Sequence, residues 1–195
     1  MTYDNNPAMQ GQTILVTGSS RGIGFYTAKG LAEMGGHVIL VSHNKSHCEE
    51  AAEEIQGSAG KDSARYYVAD LSIQEEVHRL AEKITSDYDR LDVLINNAGA
   101  WKSSYKKTAD GIELTFGLNH LSYFLLTGLL MDLLKRSVPA RIVNVASDAH
   151  RGIDRVHFEG VSFQENYRPF KAYAQSKLAN IMFTYELAER LNGTG

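Results

Sequence analysis

The stretch Thr17-Gly18-Ser19-Ser20-Arg21-Gly22-Ile23-Gly24 lies where an apolar run ends and a helical pattern begins. Before it, Ile14 to Val16 form the β-branched and apolar run typical of a buried parallel strand. After it, apolar residues recur at helical spacing until Gly35, which favours a helix end. In such a strand-turn-helix unit, glycines permit a positive φ and close approach of a ligand. The free N–H groups of the helix N-terminus then suit an anion such as a pyrophosphate.

Length and composition are those of an ordinary globular domain, and we expect one domain over residues 1–195. The net charge of −3 gives no reason to expect nucleic acid or an anionic membrane as a partner. Met1 to Gln12 lack the features of a secretory signal, and the most apolar run, Leu121 to Leu134, is too short to span a bilayer. The single cysteine, Cys48, fits a reducing compartment, so we expect a cytoplasmic protein without a transmembrane segment.

Strand-like and helical patterns alternate along the chain and predict an α/β fold, a doubly wound parallel sheet (Rossmann-like) with helices on both faces. Further strands are expected at His37–Val41, Ala64–Ala69, Leu91–Ile95 and Arg141–Val145. The expected helices include His47–Gln56 capped by Ser46, one opened by a capping box from Ser72 to Glu75, one over Ile112–Lys135 and one over Phe170–Leu191.

Polar and glycine motifs follow each of the predicted strands. They are the glycine turn after the first strand, His43-Asn44-Lys45, Asp70-Leu71, Asn96-Asn97-Ala98-Gly99 and Ser147. Parallel sheets of this class bind ligands at the carboxyl ends of their strands. We therefore expect these five strand ends to form a single site.

Tyr173 and Lys177 lie four residues apart, which places a phenol and an ammonium on one face of a helix. A cation beside a phenol favours its ionised form and so helps it to act as a base near neutral pH. The alternative interpretation is an incidental pair on an exposed helix face. The glycine stretch likewise has a structural alternative, a tight turn without a ligand.

Taken together, these motifs resemble those of the short-chain dehydrogenase/reductase family over nearly the whole chain. The resemblance rests on the Thr-Gly-x-x-x-Gly-x-Gly turn, on the Asn-Asn-Ala-Gly motif, and on a constellation of Asn119, Ser147, Tyr173 and Lys177. Three longer stretches are similar to the retinol dehydrogenase and WW-domain oxidoreductase branch: Leu118–Thr127, Ile142–His150 and Ser176–Thr184.

The resemblance implies an enzyme that moves hydride between a nicotinamide cofactor and an alcohol or carbonyl compound, of the small lipophilic kind that includes retinoids and steroids. Tyr173 would be the general acid/base, Ser147 would orient the substrate oxygen, Lys177 would bind the nicotinamide ribose and assist Tyr173, and Asn119 would hold a water of a proton relay. The residues that it implies for the cofactor are Gly18, Ser20, Arg21, Gly22, Ile23, Gly24, His43, Asn44, Lys45, Asp70, Leu71, Asn97, Ala98, Gly99, Tyr173 and Lys177.

NADP is favoured over NAD because no carboxylate follows the second strand, where one would bind the ribose 2′-hydroxyl. Arg21 and Lys45 are placed to attract a 2′-phosphate instead, whereas His43 stands where many relatives have arginine. No metal site is expected, because no cysteine or carboxylate pattern accompanies His150 and His157.

The family pattern continues past the last predicted helix with further strands, which would leave the fifth strand at a sheet edge. A nucleotide-binding regulatory or scaffolding protein without turnover is therefore the alternative function. The long interval Asp148–Arg168 is a candidate substrate lid. The resemblance also implies a homodimer through two long helices, near Leu118–Leu134 and Ala172–Leu187.

Overall fold

Five parallel strands form one sheet in a computed structural model, which describes residues 8–156 and 167–194. The strands are β1 (Thr13–Thr17), β2 (His37–Ser42), β3 (Ala64–Val68), β4 (Val93–Asn96) and β5 (Arg141–Asn144). The helices are α1 (Gly22–Glu33), α2 (Lys45–Ala59), α3 (Gln74–Asp87), α4 (Leu114–Phe116), α5 (Ser122–Leu129), α6 (Met131–Arg136) and α7 (Pro169–Arg190). The spatial order β3-β2-β1-β4-β5 confirms the predicted doubly wound fold.

The central strand β1 is hydrophobic on both of its faces and completely buried at Ile14, Leu15 and Val16. Leu15 packs into the cluster that contains Ile84 of α3, whereas Ile14 and Val16 pack on the opposite side with Ala28 of α1. Each of these buried aliphatic side chains stabilises the fold by about 1.5 to 3 kcal/mol. Helices therefore cover both faces of the sheet, as an all-parallel sheet requires.

The amino-terminal end of the sheet is pinned by Asp92, a carboxylate that is almost fully buried. Its Oδ2 atom accepts the Thr13 N–H at 2.7 Å, and Arg90 Nε donates to both carboxylate oxygens at 3.2 and 3.1 Å. The charge is therefore paired, which limits the cost of burying it. This contact also keeps β1 and β4 side by side at the end opposite the glycine turn.

Two predicted helix starts are wrong. Helix α2 begins at Lys45, because Asn44 Oδ1 accepts the His47 N–H at 3.1 Å and caps the helix, and Ser46 lies inside it. Helix α3 begins at Gln74 without a side-chain cap at the preceding residue, so the Ser72 capping box does not form. Its first N–H is instead satisfied from a distant loop, by Asp110 Oδ2 at 2.9 Å.

The single long helix predicted over Ile112–Lys135 is also wrong, because the segment is divided into three helices and a π-helical turn at Gly117–Leu121. It starts at Glu113, whose buried carboxylate accepts the N–H groups of Thr115 and Phe116 at 2.9 and 2.8 Å. Sequence periodicity cannot locate a π turn, which inserts one extra residue into a continuous pattern. The turn holds Asn119 at the strand ends.

Strand β5 lies at one edge of the sheet, as expected for this chain. An apolar groove of about 170 Å³ runs along it, with Ile142 on the strand, Leu134 on α6 and Leu187 on α7 among its lining residues. Within residues 8–156 and 167–194, the helices are too short or too polar to cross a bilayer.

Two glycines of α1 should respond oppositely to alanine. At Gly24 an added Cβ would lie 2.4 Å from both Asn97 Nδ2 and Gly18 O, whereas at Gly30 it would meet nothing within 4 Å. We expect Gly24→Ala to lower the free energy of unfolding by about 2 to 3 kcal/mol through overpacking. Gly30→Ala, the matched control, should raise it by about 0.5 to 1 kcal/mol because alanine favours the helix. Urea-induced unfolding measures both, and equal effects would contradict the close packing at Gly24.

Candidate functional site

The loop between β1 and α1 is held against the end of β4 by close backbone contacts. Gly18 has a φ of +64°, and a Cβ on it would lie 2.7 Å from Ala98 Cα, so a side chain is excluded there. Gly18 N–H donates to Val41 O at 2.8 Å, which also ties the loop to β2. The turn is therefore fixed from both neighbouring strands.

Side-chain hydrogen bonds between Thr17 and Asn97 also hold the loop after β1 against the end of β4. Thr17 Oγ1 accepts the N–H groups of Asn97 and Ala98 at 2.9 and 3.0 Å. In return, Asn97 Nδ2 donates to Thr17 O at 2.8 Å and to Gly18 O at 3.2 Å. The amide of Asn97, expected as a cofactor contact, supports the loop in this structure.

The start of α1 fits the phosphate groups of a dinucleotide. Arg21 occupies the cap position without a side-chain hydrogen bond to the helix, and the first turn carries no acidic residue. Gly22 has a φ of +58° and open space where a Cβ would be, and Ile23 is 74% exposed. The N–H groups of this 12-residue helix and its dipole thus face open space and favour an anion.

A positively charged surface borders the end of β2. Arg21 Nη2 lies 2.6 Å from His47 Nε2 of α2, and Ser20 Oγ donates to Ser42 Oγ at 2.9 Å. Lys45 is exposed and forms a weak ion pair with Glu49 at 3.6 Å. Since Ser42–Lys45 contain no carboxylate, the charge here is complementary to a phosphate.

A cavity of about 290 Å³ opens at the carboxyl ends of the strands. It is lined by Gly18, Val41, Ser42, His43, Ala69, Asp70, Leu71, Ser72, Ala98, Gly99, Ala100, Lys102, Leu114 and Leu118. Six of the residues predicted to bind a cofactor are among these. Asp70 is held in place locally, because its Oδ1 atom accepts the Ser72 N–H at 2.9 Å and its own N–H donates to Glu76 at 2.6 Å.

Lys177 is a buried cation in the middle of α7, with only 3% of its surface exposed. Its Nζ atom donates to Val145 O at 2.8 Å and lies 5.6 and 5.8 Å from the ring centroids of Tyr123 and Tyr173. Two aromatic faces and a carbonyl replace part of the lost hydration. Burial nevertheless lowers the pKa of Lys177 from 10.5 to about 8.

The structure brings Tyr173 and Lys177 together on α7 beside the end of β5. Ser147 follows two residues after Val145, the acceptor of the Lys177 ammonium. Ser147 Oγ accepts the Ala149 N–H at 3.3 Å and so opens the short 3-10 helix Asp148–Gly152. A hydroxyl that accepts in this way keeps its proton for a second partner.

The side chain of Asn119 is fully buried and forms hydrogen bonds with neighbouring segments. Its Oδ1 atom accepts the Ala100 N–H at 2.8 Å, and its Nδ2 atom donates to Ala100 O at 3.0 Å and to Ser176 Oγ at 3.2 Å. Asn119 thus fixes the chain that follows β4. Its role in a water relay stays a prediction.

Asn180, which the motif analysis missed, connects both halves of the site. Its Nδ2 atom donates to Asn119 O at 2.9 Å and to Val145 O at 3.4 Å, and its Oδ1 atom lies 2.9 Å from His120 Nδ1. Burial lowers the pKa of His120, so the neutral ring donates to Asn180 from Nδ1. Asn180 could have been found from its position three residues after Lys177, on the same helix face.

Of the two histidines in the long interval before α7, the structure describes only His150. His150 Nδ1 lies 2.7 Å from Ser147 O, which gives this ring a local partner. His157 and the middle of the candidate lid fall at residues 157–166, outside the described residues. In the described part of the chain, His, Cys, Asp and Glu side chains form no group of three that could hold a metal ion.

Lys177 should titrate far below the ordinary pKa of a lysine side chain. We expect its side-chain NMR signal to titrate near pH 8, because burial lowers its pKa from 10.5 to about 8. Since the unfolded chain keeps this proton up to about pH 10.5, the contribution of Lys177 to the free energy of unfolding should rise with pH between 8 and 10.5. Lys177→Arg removes the signal and so assigns it. A Lys177 signal that titrates above pH 10 would contradict its burial.

Comparison with known sequences places the whole described site inside one family. A sequence model of the short chain dehydrogenase family matches residues 12–195. Human retinol dehydrogenase 11 is 44% identical over 187 residues, which are 96% of this chain and 58% of that protein. Human retinol dehydrogenase 13 is 42% identical, over 95% of this chain and 56% of that protein. The chain thus spans little more than half the length of these curated relatives.

Solved structures agree with the sequence comparison. A protein from Mycobacterium paratuberculosis superposes with a TM-score of 0.83 and 36% identity over 96% of this chain and 65% of that one. The Pseudomonas aeruginosa RhlG/NADP active-site complex superposes with a TM-score of 0.78 and 30% identity over 98% of this chain and 72% of that one. With the observed sheet order and the matched residues, these likenesses lead to one conclusion: the chain belongs to the short-chain dehydrogenase family.

Proposed function

We propose that the protein is an NADP(H)-dependent oxidoreductase that interconverts an alcohol and a carbonyl compound, with Tyr173 as the general acid/base. The observation that carries this proposal is the buried Lys177 ammonium, 5.8 Å from the centroid of the Tyr173 ring. A structural role alone does not explain a cation at this depth, because burial of a charge is costly. A nearby cation is what a phenol needs in order to exchange a proton near neutral pH.

Each residue has a distinct part in this chemistry. Tyr173 donates a proton to a carbonyl oxygen during reduction and takes it back during oxidation. Ser147, at the end of β5, donates a hydrogen bond to the same oxygen. Lys177 stabilises the phenolate of Tyr173 and is itself held by Val145 O. The bound nicotinamide cofactor supplies or accepts the hydride.

The loop after β1 and the end of β2 would hold the cofactor. The first N–H groups of α1 suit the pyrophosphate, and the cavity of about 290 Å³ suits the adenosine half. Arg21 and Lys45 favour NADP, because they attract a 2′-phosphate and the segment Ser42–Lys45 after β2 contains no carboxylate. The NADP complex of the structural relative RhlG supports the same choice.

The substrate proposed is a small lipophilic alcohol or carbonyl compound. The relatives named retinol dehydrogenases support this class, since the name itself specifies a lipophilic alcohol. Retinol or retinal is one member of the class. The fold alone does not select a substrate.

Removal of the Tyr173 hydroxyl should stop turnover and leave cofactor binding intact. We expect Tyr173→Phe to lower kcat by about 100-fold or more, since proton transfer typically contributes that much. The Kd for NADPH should change less than about twofold, because the ring is retained. Absorbance at 340 nm follows turnover, and fluorescence titration follows binding.

Tyr185→Phe on the exposed side of α7 is the control and should leave both values unchanged. Unchanged turnover in Tyr173→Phe would remove Tyr173 from the mechanism. Tight NADPH binding without turnover in the unaltered protein would instead favour the regulatory alternative.

Arg21 should discriminate between the two nicotinamide cofactors. We expect Arg21→Gln to raise the Kd for NADPH by about tenfold, since one charge-assisted hydrogen bond to a phosphate is lost. The Kd for NADH should change little, because NADH lacks the 2′-phosphate. Arg79→Gln, which removes an exposed arginine on α3, controls for net charge. An equal loss of both cofactors would contradict recognition of the 2′-phosphate by Arg21.

A further inference from the structure

The single tryptophan of the chain stands beside the proposed acid/base. Trp101 follows the Asn96–Gly99 motif by two residues and is 62% exposed. Its ring stacks on that of Tyr173, with the centroids 6.4 Å apart and the planes at 28°. The indole thus lies beside the phenol proposed as acid/base, and most of its surface faces solvent.

The backbone on each side of Trp101 is fixed, although the side chain is exposed. The peptide groups of Ala100 are held by the Asn119 amide at 2.8 and 3.0 Å. On the other side, Lys102 O lies 3.4 Å from the Tyr167 hydroxyl, which is also 3.1 Å from Glu113 Oε1. Glu113 is almost completely buried, so this second anchor belongs to the interior of the protein. The backbone that carries the indole is therefore set by the fold.

The hydrophobic core does not account for this indole. Trp101 belongs to neither of the two buried clusters that cover the sheet. A large aromatic side chain gains stability from burial, so a fixed and exposed one is typical of a binding surface. Because the indole adjoins Tyr173, a molecule lying against it would bring a neighbouring oxygen atom to the Tyr173 hydroxyl.

We propose that Trp101 is a specificity-determining residue, whose indole forms a stacking wall that selects carbonyl compounds with a flat π system conjugated to the reacting carbon. This inference rests on the proposed oxidoreductase function and names the feature of the substrate that the site would recognise. A flat conjugated group stacks face to face with the indole and gains more than the area it buries. A saturated group of the same size gains only the area, because its puckered surface cannot stack.

The test compares two aldehydes with the same carbon skeleton, trans-cinnamaldehyde and 3-cyclohexylpropanal, in reduction by NADPH. We expect Trp101→Ala to raise KM for cinnamaldehyde about five- to tenfold and KM for 3-cyclohexylpropanal less than about twofold. Trp101→Phe should restore part of the preference, since a smaller ring still stacks. The kcat values and the Kd for NADPH should stay within about twofold, because the residue touches neither the proton nor the phosphates.

A binding measurement separates this inference from turnover. Trp101 is the only tryptophan in the sequence, so quenching of its emission by cinnamaldehyde reports binding at this position. The quenching should persist in Tyr173→Phe, which binds without reducing. Tyr185→Ala removes another exposed ring 12 residues along α7 and should alter neither KM.

Two results would overturn the inference. Equal losses for both aldehydes in Trp101→Ala would mean that the indole fills space and does not select a π system. An unchanged KM for cinnamaldehyde would mean that the substrate does not touch Trp101. If the unaltered protein does not bind NADPH, the oxidoreductase function is rejected, and the inference with it.

Discussion

The reciprocal bonds between Thr17 and Asn97 are the joint on which the nucleotide half of the site depends. They join the ends of β1 and β4, two adjacent strands that are 80 residues apart in sequence. Because this joint is so tight, Gly18 must approach Ala98 without a side chain. The same close contact directs the first turn of α1 toward the open space at the carboxyl ends of the strands. The phosphate recognition proposed for this turn would therefore be a consequence of the contacts between two adjacent strands.

The other half of the site is organised around one buried charge. The Lys177 ammonium lies near two phenol rings and donates to the carbonyl group of Val145, just after β5. Asn180 holds the same carbonyl of Val145 and the backbone of the π-helical turn, so α7 is bound to two other segments at once. An ammonium with reduced solvation interacts more strongly with a neighbouring phenolate than an exposed one does. The packing of Lys177 and the reactivity proposed for Tyr173 thus have a common origin.

The parts of the structure that the sequence predicts depend on neighbouring residues, whereas the parts that it does not predict depend on contacts between segments far apart in the chain. Strand positions follow from apolar runs such as Ile14–Val16, and the Tyr173–Lys177 pair follows from helical spacing, so both are visible locally. The start of α3 is not, because Asp110 from a distant loop replaces the expected serine cap. The π turn at Gly117–Leu121 and the stacking of Trp101 on Tyr173 likewise depend on contacts between remote segments. Tertiary contacts override local propensity at these positions.

The position of β4 next to β1 has a consequence for the order of events during synthesis. A ribosome releases β1, β2 and β3 long before Asp92 and Asn97 exist to bond β1 to the β4 region, so the central strand first lacks one of its two neighbours. Until then, one edge of β1 is unpaired and the glycine loop has no partner on that side. Long-range pairing of this kind folds slowly and leaves nascent chains open to association or chaperone capture. The part of the chain translated first is thus among the last to acquire its final form.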